Sequence, residues 1–138
     1  MKAAVLAAKV RLRIMRLHEP WWIEMWSGIT ALCWAKYVFW MPRDLADTQL
    51  YGVLIRIASD FQWEMAGFVL GGMQIIAASA EIRIARWILA FLLAWFWFCL
   101  GYGVWLANHS APGVVVYLGW GCANMTSMAL LFRRHPTR

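Results

Sequence analysis

Several side chains place polar or ionisable groups within or beside long apolar stretches: Glu24, Lys36, Glu64, Gln74, Arg83, Arg86 and Asn124. In a low-dielectric surrounding each is costly unless it is paired, hydrogen-bonded or able to reach water. The chemistry open to them is ion pairing, hydrogen bonding between helices, or the lining of a proton or ion path. A second set is Cys33, Cys99 and Cys122, which fall near the middle of three different apolar stretches at the level of Met73. Thiolates and a thioether at one depth suit Cu(I). No CxxC or CxH spacing accompanies them, so small apolar packing is the preferred reading and no metal is expected. His18, His109 and His135 lie at the ends of apolar stretches or outside them, where they cannot supply axial ligands to a membrane haem. The sequence has no P-loop, GxSxG or HExxH motif and no pair of catalytic carboxylates. Neither an enzyme nor a cofactor is expected.

The elements that position these residues follow from composition. Of 138 residues 63% are hydrophobic and 14% charged, against about 45–50% and 25% in a soluble domain. A membrane span needs ~20 mostly apolar residues. Four segments qualify, at about 21–41, 63–80, 87–107 and 114–132. The second and third are separated only by Glu81-Ile82-Arg83-Ile84-Ala85-Arg86, so the chain must turn there. The expected fold is all-α: an integral membrane four-helix bundle in one domain over 1–138. A basic segment covers 1–20 and a basic tail 133–138.

Lysine and arginine orient the bundle. Lys2, Lys9, Arg11, Arg13 and Arg16 precede the first span, Arg83 and Arg86 occupy the hairpin turn, and Arg133, Arg134 and Arg138 follow the last span. The opposite side carries Arg43 and Arg56 beside Asp44, Asp47 and Asp60. By the positive-inside rule both termini are cytoplasmic. The net charge of +6 is thus explained by orientation, and no nucleic-acid partner is expected. Leu6, Val10, Ile14 and Leu17 share a helical face beside a basic one, a pattern suited to anionic lipid headgroups. A second amphipathic surface helix is expected over 48–61.

Depth then assigns the charges. Lys36 lies about five residues inside the outer end of the first span, ~7 Å deep, within reach of snorkelling. Glu64 stands at similar depth, so a Lys36–Glu64 pair is reachable. Glu24 lies one turn inside the cytoplasmic end, with Arg83 and Arg86 as natural partners. Gln74 and Asn124 are central and suited to hydrogen bonding with each other. Gly67-x-x-x-Gly71 and Gly119-x-x-x-Ala123 permit close helix approach, preferably inside the bundle and alternatively between subunits.

The run from Gly71-Gly72-x-Gln74 through Arg83-x-x-Arg86-Trp87 to Trp95 resembles small four-span membrane proteins of tailed bacteriophages. The resemblance covers the second to fourth spans and implies an architecture and a compartment, the bacterial inner membrane. It also introduces a holin-like reading, since holins carry short basic tails comparable to Arg133-Arg134-His135-Pro136-Thr137-Arg138. The expected function is non-enzymatic: a small membrane protein acting through helix packing, as a homo-oligomer or as an accessory subunit of a larger complex. A membrane-permeabilising protein of holin type is the first alternative. A small transporter or channel using Glu24, Lys36, Glu64 and Gln74 is the second.

Overall fold

The computed structural model describes residues 20–40 and 51–133. All regular structure among them is helical: α1 (Trp21–Trp40), α2 (Gly52–Ile55), α3 (Asp60–Ser79), α4 (Arg83–Ala107) and α5 (Pro112–Arg133). The expected amphipathic segment before α1, the stretch 41–50 and the basic tail beyond α5 lie outside the described residues. α4 and α5, of 25 and 22 residues, are long and apolar enough to cross a membrane. α1 and α3 have 20 residues each, ~30 Å at 1.5 Å per residue. Their hydropathy is lowered by Glu24, Lys36, Asp60 and Glu64 and by tryptophans, whose indole N–H gives a large apolar ring a polar edge.

Local chemistry sets the ends. Ser59 and Gln62 form a capping box at the start of α3: the Gln62 N–H donates to Ser59 Oγ (3.4 Å) and the Ser59 N–H to Gln62 Oε1 (2.9 Å). This adds a polar first turn, so the helix begins three residues before Trp63, where the apolar stretch starts. α3 ends when Glu81 adopts φ 56° and the Ile82 N–H donates to the Ala77 carbonyl (3.2 Å), a Schellman-type stop. α4 follows at once, so Arg83 and Arg86 stand in its first turn rather than in a loop. At α5 the first residue is Pro112, which has no N–H to leave unpaired.

Of the surface helix expected over 48–61, the described residues 51–59 contain only the single α-helical turn α2 (Gly52–Ile55). Of its proposed apolar face Leu54 is buried, whereas Ile57 and Phe61 are exposed. Leu54 fills the space above Gly103, where a Cβ would stand 2.6 Å from Leu54 Cγ. Trp63 Nε1 holds the turn by donating to the Leu54 carbonyl (3.0 Å). The cap at Ser59 starts a new helix too soon for α2 to extend.

α1 packs mainly on α3 and α4 mainly on α5, with α3 against α4 joining the pairs. The α1–α3 seam is made of small residues. A Cβ at Gly71 would stand 2.7 Å from the Gly28 carbonyl oxygen, and one at Gly67 3.0 Å from Ala35 Cβ. The Gly67–Gly71 stripe therefore faces inward, onto Gly28, Ala31 and Ala35. Gly119 is different: nothing lies within 4 Å of its Cβ position. Gly121 is the packed glycine of α5, beneath the Phe98 ring. The core between the pairs is aromatic, with Trp34, Trp63 and Trp97 grouped around Phe96 at centroid distances of 5.2–6.2 Å.

Gly71→Ile should force α1 and α3 apart and lower the stability of the single chain by about 1–3 kcal/mol, the usual range for overpacking. A thermal melt in detergent checks this. An unchanged melt would remove the seam from the forces holding the bundle.

Candidate functional site: a buried polar network

The buried polar and charged residues of the described bundle form two neighbouring sets of bonds across three helices, with Gln74 of α3 enclosed in the same interior. Glu24 and Ser27 come from α1, Arg86 and Trp97 from α4, and Asn124 and Ser127 from α5. Glu24, Ser27, Gln74, Asn124 and Ser127 are fully buried and Arg86 nearly so.

Glu24 is the centre. Its Oε2 accepts from Arg86 Nε at 2.6 Å, and its Oε1 accepts from Ser127 Oγ at 2.7 Å. Both carboxylate oxygens thus have a partner, one of them charged. A carboxylate removed from water requires this degree of satisfaction. One turn further along α1, Ser27 Oγ accepts from Asn124 Nδ2 (2.7 Å) and from Trp97 Nε1 (3.1 Å). Asn124 Nδ2 also donates to the Trp120 carbonyl of its own helix (2.8 Å). Positions 24 and 27 on α1 meet 127 and 124 on α5. The i, i+3 spacing on both helices, in opposite order, is what two antiparallel helices need to align two pairs of contacts.

The aromatic core continues from this network. The Trp97 ring stacks on Tyr117 (5.9 Å, 14°) and on Trp120 (6.5 Å, 30°). The Tyr117 and Tyr51 hydroxyls meet at 2.8 Å, tying α5 to the turn before α2.

Of the two arginines considered for Glu24, Arg86 is its partner. Arg83 instead donates from Nη2 to the Leu131 carbonyl at 2.6 Å, near the end of α5. No Lys36–Glu64 ion pair forms. Lys36 is exposed, and its Nζ lies 4.6 Å from the ring centroid of Trp40, one turn on. The Gln74–Asn124 hydrogen bond is also absent. Asn124 is taken by Ser27, and neither amide atom of Gln74 has a partner among the described residues. Gln74 is instead pressed against the α1 seam, its Cβ 3.5 Å from the Cβ position of Gly28. Cys33 and Cys122 are exposed and Cys99 half-buried, and no metal-ligand cluster of His, Cys, Asp and Glu occurs among the described residues. Ser27 is not marked by any motif, Ser127 reads from the sequence only as the next small residue after Gly119 and Ala123, and Trp97 only as bulky packing, so their hydrogen bonds are new. The available signal was Ser27 three residues after Glu24, mirrored by Asn124 and Ser127.

The arrangement fixes helices; it offers no exposed nucleophile, acid or base. Arg86→Met alone should cost about 3–5 kcal/mol, because it leaves the Glu24 carboxylate buried without its cation. Glu24→Leu combined with Arg86→Met should cost clearly less than the sum of the single changes. Chemical or thermal unfolding of all four proteins in detergent measures this coupling, and strict additivity would exclude it. Gln74→Leu should leave stability unchanged or raise it by about 1–3 kcal/mol, since it removes an unpartnered buried amide; a fall of similar size in the same melt would refute this. No protein-family model, curated protein or solved structure matches this chain.

Proposed function

We propose that this chain is a four-span integral membrane protein with both termini on the cytoplasmic side, and that it works without catalysis, through helix packing. It acts as a self-assembling unit or as an accessory subunit of a larger membrane complex, in the bacterial inner membrane. The observation that carries this reading is the reversal of polarity between inside and outside. Glu24, Arg86, Gln74 and Asn124 are enclosed, while Trp26 (54%), Ile76 (66%), Trp95 (59%) and Val115 (76%) are exposed on all four long helices. A water-soluble bundle of this size places its charges outside and does not cover itself with large apolar side chains. Lipid accepts such a surface, and membrane helices keep polar groups turned inward, where they bond across helices.

The exposed hydroxyls agree with this reading. Thr30 Oγ1 donates to the Trp26 carbonyl (2.7 Å) and Thr126 Oγ1 to the Cys122 carbonyl (2.9 Å). A hydroxyl facing hydrocarbon has no water to bond, so it satisfies itself on its own helix. The remaining charged side chains of the long helices stand near their ends: Lys36 in the last turn or so of α1, Asp60 and Glu64 in the first turns of α3, and Arg83 at the start of α4.

The holin-like and transport readings draw less support from the geometry. Lys36 is exposed, Glu64 is half-buried, and Glu24 and Gln74 are enclosed, so the four do not share one cavity. Reporter fusions test the topology. Fusions in the N-terminal segment and after Arg138 should read cytoplasmic, and one near Asp47, outside the described residues, should read periplasmic. The opposite result at either terminus would overturn the four-span arrangement.

A further inference from the structure

We infer that the groove between the start of α4 and the end of α5 is a binding site for an anionic phospholipid of the cytoplasmic leaflet. This rests on the membrane reading above and adds a specific ligand to it. Arg83, Ile84, Trp87, Leu131 and Phe132 line the groove. Its surface is apolar apart from Arg83. Ile84 and Phe132 are largely exposed, and Trp87 is partly so. An apolar trough with a guanidinium at one end matches an acyl chain joined to a phosphate.

Charge selects the anionic class of lipid. Arg83 uses Nη2 on the Leu131 carbonyl, which holds the guanidinium at the groove while its other N–H groups remain to bind an oxyanion. The sequence continues after Phe132 with Arg133-Arg134, two more basic residues. Of the acids among the described residues at this end, Glu24 is enclosed by Arg86 and Ser127, and Glu81 is exposed on the hairpin turn. The first turn of α4 contributes further. It contains no acidic residue, and its N-cap, Ile82, provides no side-chain hydrogen bond. Backbone N–H groups at the positive end of this 25-residue helix are therefore not satisfied by a cap. In the four-span arrangement this end lies at the cytoplasmic headgroup level, where phosphates are found.

Native mass spectrometry of the full chain in mild detergent tests the site. Phosphatidylglycerol and phosphatidylcholine with identical acyl chains are offered together, and inorganic phosphate is offered as a competitor. The anionic lipid should be retained about fivefold over the zwitterionic one, the preference expected for roughly one interfacial arginine. Arg83→Gln should abolish the preference and Arg83→Lys should keep most of it. Ile82→Asp supplies a cap carboxylate to the same N–H groups at an exposed position. It should abolish the preference while the melting temperature holds or rises, which separates lost binding from lost folding. Equal retention of both lipids, or a preference that survives both Arg83→Gln and Ile82→Asp, would overturn the site. So would full displacement by inorganic phosphate, which would assign it to a free anion. A chain that stays soluble without detergent would instead defeat the membrane reading on which the inference stands.

Discussion

Burial of the Glu24 carboxylate is the constraint around which the bundle is arranged. An ionised carboxyl taken out of water is tolerated only with a cation and further hydrogen bonds in place. Arg86 provides the first and Ser127 the second. Those three residues belong to α1, α4 and α5, so satisfying one carboxylate fixes how three helices are placed around it. The two helix pairs could otherwise slide over an interface of large aromatic rings, where many registers offer similar apolar contact. A charge pair and a serine hydroxyl have only one register in which all partners meet. The second set of bonds, at Ser27, repeats the requirement one turn away and sets the rotation of α1 and α5 as well.

A different constraint governs α3. It reaches α1 closely at Gly28 and Gly71, where a Cβ on either glycine would meet the other's carbonyl oxygen and the Ile75 and Leu32 side chains lie alongside. Close approach gives dispersion contacts along the seam but little specificity along its length. The Trp21 indole supplies that specificity by donating to the Ala78 carbonyl at 3.2 Å. At the other end the capping box and the Trp63–Leu54 bond fix where α3 begins. Small residues thus set the distance between α1 and α3, and the Trp21 indole sets their register.

Much of this arrangement is legible in the sequence, because length and apolar runs report helices directly. The four long helices occupy the expected stretches, and the chain turns at Glu81 within the short charged segment where a break was expected. What the sequence conceals are effects that depend on direction. Gly119 and Gly121 are two residues apart, yet one is open and the other lies under Phe98, and only the rotation of α5 decides which. Lys36 and Glu64 have matching depth but no bond, since depth along the bundle says nothing of the angle around each helix. The surface helix over 48–61 shows the converse. Its apolar period is present, but the Ser59 cap starts α3, and of the described residues of that face Leu54 is fully buried while Ile57 and Phe61 are exposed. Arg86 and Arg83 could be told apart only by reach, and three residues on a helix separate them by most of a turn.

The state of the polar network also bears on what this chain does. A conducting path needs groups that exchange partners as an ion or proton passes, and so it needs sites with water access or spare bonding capacity. Glu24 has a partner on each oxygen, and Ser27 accepts two donors from two helices. The bonds of Glu24 and Ser27 hold helices together, while both amide atoms of Gln74 and the Oδ1 of Asn124, in the same interior, have no partner among the described residues. The exposed face offers the reverse: large apolar side chains with few internal partners, on every long helix. A protein whose buried groups are polar and whose exposed groups are largely apolar is suited to contact apolar surroundings. That division of labour is the ground on which a packing role is proposed, with the outer face and the groove of α4 and α5 as the surfaces through which it would be exercised.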